Sequence, residues 1–361
     1  MTPTYCPMPW IGINYIPTNI APCIFWRGAG PDLEILKADM LAGKKTNGCE
    51  QCYTAERHGV ESGRQEAIRM FGTPTESKLQ LLTISFDNVC NLKCRGCASS
   101  SSHLWHDDEI EIYGAPLFGG KYLKNDFDAD CTNITHVKIS GGELFLSKKA
   151  DKFFTKLKEQ DVLKNIDLGI SSNGITLPSP AAVTAMTEAK KCTLSISLDG
   201  IGPINDYFRS GSNFDQLVEN LKYFKTLKIS LALHTTVSIY NVNLLKDIEE
   251  YCKLNFPEFE LTHRLLLWPE QLSIQNMPED LKNLVRPIVE SYGPKYIDVL
   301  EALNTEGKDL YGHFLNFHNK LDNLRNEVLG DANPLLSDYI SKNKIQVDSK
   351  AFFLSQAKMV L

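Results

Sequence analysis

A chain of 361 residues, 43% hydrophobic and 23% charged, has the balance of a globular protein with a sizeable core in one large or two unequal domains, which excludes a disordered or fibrous one. The formal net charge of −6 comes with no basic block, which argues against nucleic acid as a partner. No stretch reaches the roughly 18 apolar residues of a membrane span, and the opening MTPTYCPMPWIGINYIPTNIAPCIF has no charged region followed by an apolar run, so the expected address is cytoplasmic. Thiols stay reduced there, and ten cysteines then point to metal or catalysis, not to disulfides.

Residues 1–75 read as a small, loop-rich separate unit with a helix at about 32–42 and another opening at SGRQ, where Ser62 and Gln65 have capping-box spacing. Six strand-like runs then follow in series: 79–86, 136–140, 166–172, 193–199, 229–238 and 260–268. Helical stripes separate them. Phe214, Leu217, Val218, Leu221 and Phe224 lie on one face, and Ser147 and Asn243 are candidate N-caps of two more helices. Consecutive βα units predict an α/β fold with parallel strands and chemistry at the strands' C-terminal ends. Beyond about 270 the text is helical and amphipathic, as in LYGHFLNFHNKLDNLRNEVLG, and reads as packing or as a lid. The expected domains are therefore 1–75, 76–270 and 271–361.

The cysteines fall in two groups. Cys90, Cys94 and Cys97 form one compact loop directly after the first strand of the series. Zinc would need a fourth ligand, for which His103 or His106 is near, whereas a single loop of three thiols suits one face of a cubane iron-sulfur cluster. Such a cluster keeps one iron free. At later strand ends stand SGGEL (140–144), SSNG (171–174), SISLDG (195–200) with Arg209 nearby, and LHTTVSIYN (233–241).

In this order the CxxxCxxC loop and these segments resemble the radical S-adenosylmethionine (SAM) enzymes. The resemblance implies a partial (β/α)6 TIM-like barrel and a 4Fe-4S cluster on Cys90, Cys94 and Cys97, with SAM chelating the free iron. It further implies cleavage to a 5'-deoxyadenosyl radical that abstracts hydrogen from a substrate, and an external one-electron donor of flavodoxin or ferredoxin type. By the same resemblance Gly141, Gly142 and Glu143 would receive the methionine amine, Asn173 and Ser197 the ribose or carboxylate, Arg209 the carboxylate and Val237 the adenine, with Asn241 nearby. Gly96 departs from the pattern, since the family usually carries an aromatic residue there; its backbone could still meet adenine. GGEL in place of GGEP is a smaller departure.

Cys6, Cys23, Cys49 and Cys52 put four thiols in the small N-terminal unit, and spacing alone allows zinc or iron-sulfur. The text CEQCYTAERHGVESGR (49–64) resembles twitch and SPASM-like modules, which implies an auxiliary 4Fe-4S cluster on all four cysteines, here ahead of the core, and the later PEQLSIQNMPEDLK and LDNLRNEV resemble radical SAM members with this order. Cys192 and Cys252 read as small core residues, and Cys131 as a loop thiol. The expected activity is radical SAM chemistry on a peptide or protein side chain. The alternatives are a sugar or small metabolite, a non-catalytic iron-sulfur carrier, or a zinc-stapled binding module. His263, Arg264 and Trp268, at the last strand, are the expected place for substrate contacts.

Overall fold

The computed structural model describes residues 2–57, 61–74 and 76–343. Residues 58–60, within the CEQCYTAERHGVESGR text, and 344–361, at the end of the expected C-terminal extension, lie outside the described residues. Eight strands, β1 (Gly12–Ile16), β2 (Asn19–Ala21), β3 (Leu81–Ile84), β4 (His136–Ile139), β5 (Asp167–Ser172), β6 (Lys191–Ser197), β7 (Ser230–Val237) and β8 (Glu260–Leu265), form one sheet in the order β2-β1-β3-β4-β5-β6-β7-β8. The fold is α/β with a mostly parallel sheet: β1 runs parallel to β3, β3 to β4, β4 to β5 and β7 to β8, and β2 is antiparallel to β1. The six expected runs are β3 to β8. Consecutive neighbours follow from crossovers that return each chain segment beside the last strand. Among the described residues no helix is long and apolar enough to cross a membrane.

The chain divides into two compact units. The first comprises Met1–Asn88, Leu123–Ser171 and Pro178–Thr193. In β4, Val137 and Ile139 are buried while Lys138 between them is exposed, the alternation of a pleated strand. The helix Lys148–Glu159 starts where the Ser147 side chain accepts from the Ala150 N–H, and buries Ala150, Phe153, Phe154 and Leu157 at helical spacing. Each large apolar side chain so buried is worth roughly 1.5–3 kcal/mol. The capping box of Ser62 and Gln65 is present and opens the helix Gly63–Phe71, and Asp32 caps the helix Leu33–Leu41.

The N-terminal residues contribute to the sheet: Gly12 to Tyr15 pair in register with Leu81 to Ile84 and extend it. A short β strand has unpaired backbone groups that a neighbouring strand satisfies. Cys131 is in a loop, as expected, but is fully buried, its S–H donating to the Ala129 carbonyl at 3.4 Å.

The second unit comprises Val89–Tyr122, Ser172–Leu177 and the chain from Leu194 on. Its helix Phe214–Lys225 buries Leu217, Leu221 and Phe224, with Phe214 and Val218 half-buried on the same stripe. Asn243 is not the N-cap of the helix Leu245–Asn255: a 3-10 turn, Val242–Leu244, leads into it, and the Asn243 amide is engaged with Asn333 at 2.8 and 3.2 Å. Cys252 is buried on that helix. The region after 270 is helical, with Glu279–Glu290, Ile297–Asn304, Tyr311–Arg325 and Pro334–Lys342. Tyr311–Arg325 buries Tyr311, Phe314, Leu315, Phe317, His318 and Leu321 and stops at Asn326 in the left-handed region, a conformation Asn tolerates.

Candidate functional site

In the second unit the cysteine loop is held by the segment around Arg209. Lys93 donates its N–H to the Ser210 carbonyl at 2.8 Å and Arg95 to the Phe208 carbonyl at 2.7 Å. Cys97 N–H meets the Cys94 carbonyl at 2.9 Å, closing a turn that brings the two sulfurs together. Cys97 donates its S–H to Cys94, which draws the Cys94 thiol down to about 7 and pushes that of Cys97 up; the nearby Arg209 guanidinium favours the thiolate of both. Cys90 is half-buried, with the Leu92 N–H 3.4 Å from its sulfur.

Asn173, at the end of β5, lies against the same loop. Its Nδ2 donates to Asn91 Oδ1 at 2.8 Å and sits 3.9 Å from the Cys90 sulfur, while its Oδ1 accepts from the Ile175 N–H at 2.9 Å. Arg209 is half-buried and donates from Nη1 to Asp199 Oδ2 at 2.7 Å; its Nε atom is buried without a hydrogen-bond partner. Arg209 therefore faces thiols with one donor committed and another unused. Ser197, half-buried, ends β6. Val237, fully buried, ends β7, and its carbonyl accepts from the Leu266 N–H. Asn241 is wholly occupied in the turn after β7: its Oδ1 accepts from Ser238 N–H at 2.8 Å and its Nδ2 donates to the Asp199 and Thr236 carbonyls.

Gly96 sits where no side chain fits. A Cβ there would lie 2.8 Å from Leu266 Cδ1 and 3.1 Å from Phe208 Cζ. Phe208 is the residue that sequence reasoning missed: an aromatic ring does lie beside the third cysteine, but it arrives from a residue beyond position 200. His263 bonds Asp298 through Nε2 at 2.9 Å and stacks on Tyr296, Arg264 is exposed, and Trp268 meets the edge of Phe118.

The GGE turn belongs to the first unit. Gly141 has φ +127°, a conformation closed to other residues, and a Cβ on it would collide with Ser85. Gly142 donates its N–H to the Asp87 carbonyl at 3.2 Å. Glu143 is buried, and its Oε1 accepts from the Phe145 N–H at 3.2 Å as the cap of the turn Leu144–Leu146.

Also in the first unit, Cys6, Cys23, Cys49 and Cys52 line one cavity of about 80 Å³. Burial pushes all four thiols up, Cys23 to about 11, and their mutual repulsion adds to this for Cys6, Cys23 and Cys49. Rings press on the two glycines of the wall, Trp26 on Gly48 and Phe25 on Gly63, and a Cβ on either would overlap the ring. Arg64 fixes this frame, with Nε donating to Glu56 Oε1 at 2.9 Å and Nη1 to the Tyr5 carbonyl at 2.9 Å. Among the described residues no three Cys, His, Asp or Glu side chains converge on a point suited to a single metal ion.

The thiol loop thus follows a strand of a mostly parallel sheet, with the half-buried Arg209 guanidinium nearby. Residues 84–254 match the family model described as the Radical SAM superfamily, and the loop lies near the head of that segment. Among curated proteins it resembles GTP 3',8-cyclase of Helicobacter pylori (26% identical, covering 62% of this chain and 65% of that protein). Others are GTP 3',8-cyclase of Aliarcobacter butzleri (32%, over 34% and 35%) and pre-heme d1 synthase of Dinoroseobacter shibae (26%, over 50% and 41%). The chain thus spans between about a third and two thirds of these relatives. Solved structures with partial likeness include anSMEcpe with bound AdoMet and a peptide (20% identical, 68% of this chain and 65% of that chain, TM-score 0.41). Another is Streptococcus suis SuiB bound to S-adenosylmethionine (15%, 80% and 56%, TM-score 0.37).

Proposed function

We propose that the chain is a radical SAM enzyme. In it, Cys90, Cys94 and Cys97 hold a SAM-binding 4Fe-4S cluster, and Cys6, Cys23, Cys49 and Cys52 hold an auxiliary 4Fe-4S cluster in a twitch or SPASM-like module. The observation that carries this is the meeting, in one unit, of three thiols with the Asn173 amide and the half-buried Arg209 guanidinium. The donor set fits: thiolate charge is offset by Arg209, and the unused Arg209 Nε is a buried donor awaiting an acceptor such as a carboxylate. The bound cluster and SAM together supply one-electron cleavage of a sulfonium and hydrogen abstraction from a substrate.

The protein's own part is to hold and shelter. Phe208 and Leu266 cover the loop at Gly96 and keep water from it, and Asn173 fixes the Cys90 side of the loop through Asn91. Gly141, Gly142 and Glu143 offer a close backbone and a carboxylate for an ammonium group, and Ser197 and Val237 a hydroxyl and an apolar wall at the next strand ends. In this assignment β3 to β8 are the strands of a partial (β/α)6 barrel and the helices after 270 its extension. For the second group, four thiols lining one cavity supply the number of donors that a four-iron cluster takes.

The substrate class is a peptide or protein side chain, by the likeness of the second cysteine module; a small metabolite such as a nucleotide is the second reading, favoured by the names of the curated relatives. An external one-electron donor completes the system. Anaerobically reconstituted protein should hold about eight irons per chain and form 5'-deoxyadenosine from SAM on reduction. Stoichiometric zinc without sulfide, or undiminished cleavage in Cys90→Ala, overturns the assignment. Deuterium passing into deoxyadenosine from a labelled peptide, or from labelled GTP, decides between the substrate classes.

A further inference from the structure

We infer that Asp322, Arg325 and Glu327, at the C-terminal end of the helix Tyr311–Arg325 and just beyond it, are positioning residues that set the place and the charge of the Cys94 to Cys97 loop. The inference rests on the proposed function of that loop. Arg95, between Cys94 and Gly96, has a side chain that is 0% exposed. Its Nη2 pairs with Asp322 Oδ1 at 2.6 Å and with Glu327 Oε2 at 2.7 Å, its Nε donates to the Tyr207 carbonyl at 3.1 Å, and its guanidinium lies 3.8 Å from the Tyr207 ring centre.

Arg325 reaches the other side of Cys94. It donates from Nη1 to the Lys93 carbonyl at 2.7 Å and from Nε to Asp108 Oδ2 at 2.9 Å, and it lies 4.5 Å from the ring centre of Trp105. Trp105 in turn donates its indole N–H to the Cys94 carbonyl at 2.9 Å. Glu327 also accepts from the Ser210 hydroxyl, and Ser210 is the residue whose carbonyl receives the Lys93 N–H. Both backbone polar groups of Lys93, the carbonyl of Cys94 and the N–H of Arg95 therefore have fixed protein partners. A loop that would ordinarily be mobile is held through these four backbone groups.

Packing alone could be met by apolar side chains of similar volume. A buried cation flanked by two ligand cysteines, with two carboxylates behind it, also sets the local charge on which the reduction of a cluster depends. Glu327→Gln keeps shape and hydrogen-bonding capacity while removing one negative charge. In the reconstituted full chain it should keep the iron, raise the midpoint potential of the cluster on Cys90, Cys94 and Cys97, change the cluster's EPR signal with SAM, and lower deoxyadenosine formation about tenfold or more. Glu327→Asp should restore the potential. Ser210→Ala, which removes a donor to Glu327 but leaves its charge in place and less screened, should shift the potential the opposite way, downward and to a smaller extent, with a changed EPR signal, and it decides the matter if Glu327→Gln does not fold. Wild-type potential and EPR signal in a folded, iron-loaded Glu327→Gln, or in Ser210→Ala where that variant decides, overturn the inference. A wild-type chain with no cluster on these cysteines overturns the proposed function as well.

Discussion

The ring of Phe208 occupies the space into which a side chain on Gly96 would project, its Cζ 3.1 Å from the position of a Cβ. The chain thus places an aromatic ring beside the third cysteine from a different segment. Phenylalanine at 96 would compete with it for the same space, so Gly96→Phe should lower the unfolding free energy by roughly 1–3 kcal/mol, as overpacking does. Phe208→Ala alone should cost about 3–5 kcal/mol. Combined, the two should cost less than their sum, because each relieves the other; denaturant titration of the four proteins measures the coupling.

Asp199 has a side chain with 0% exposure, and its Oδ1 accepts from the Thr236 N–H at 2.7 Å while its Oδ2 accepts from Arg209. Asp199→Asn leaves the Arg209 guanidinium without its counter-charge. Stranding one partner of a buried pair costs about 3–5 kcal/mol. Denaturant midpoints should fall accordingly, and the iron-free protein should show the loss as clearly as the loaded one.

His318 predicts an acid-sensitive stability. Burial draws its imidazole down to about 4, with Asp322 opposing this and Arg95 adding to it, and the Tyr207 and Tyr240 hydroxyls lie 3.1 and 3.3 Å from Nδ1. The unfolded chain protonates this ring near pH 6.5 while the folded one resists until about 4. As pH falls through that window the unfolded state takes up the proton first, and up to about 3 kcal/mol of stability is lost. His318→Asn should flatten the pH dependence of unfolding between pH 6.5 and 4.

Cys49→Ser should bring reconstituted iron from about eight to about four atoms per chain. The first unit should stay folded, since its Ser62 capping box and Glu56–Arg64 pair do not involve Cys49. SAM cleavage at the other cluster should persist. Iron and sulfide analysis, with Mössbauer spectra, checks both.

Much of this was legible in the primary structure because it is local. Strands β3 to β8 follow from period-two apolar runs, and the Ser62 and Ser147 caps from a hydroxyl three residues before a free N–H. Asn243 failed as a cap for a non-local reason, the competing amide of Asn333. The loop of Cys90, Cys94 and Cys97 is visible from spacing, and it lies within the segment that matches the family model.

By itself the sequence determined the order of βα units and the two groups of thiols, since periodicity and short spacings act through neighbouring residues. Only the tertiary structure decided that β1 extends the sheet, that Phe208 fills the place beside Gly96, and that Asp322, Arg325 and Glu327 grip the cysteine loop. Those partners lie far apart along the chain. Their meeting depends on which buried charges and volumes can be satisfied together, a condition set by packing in three dimensions.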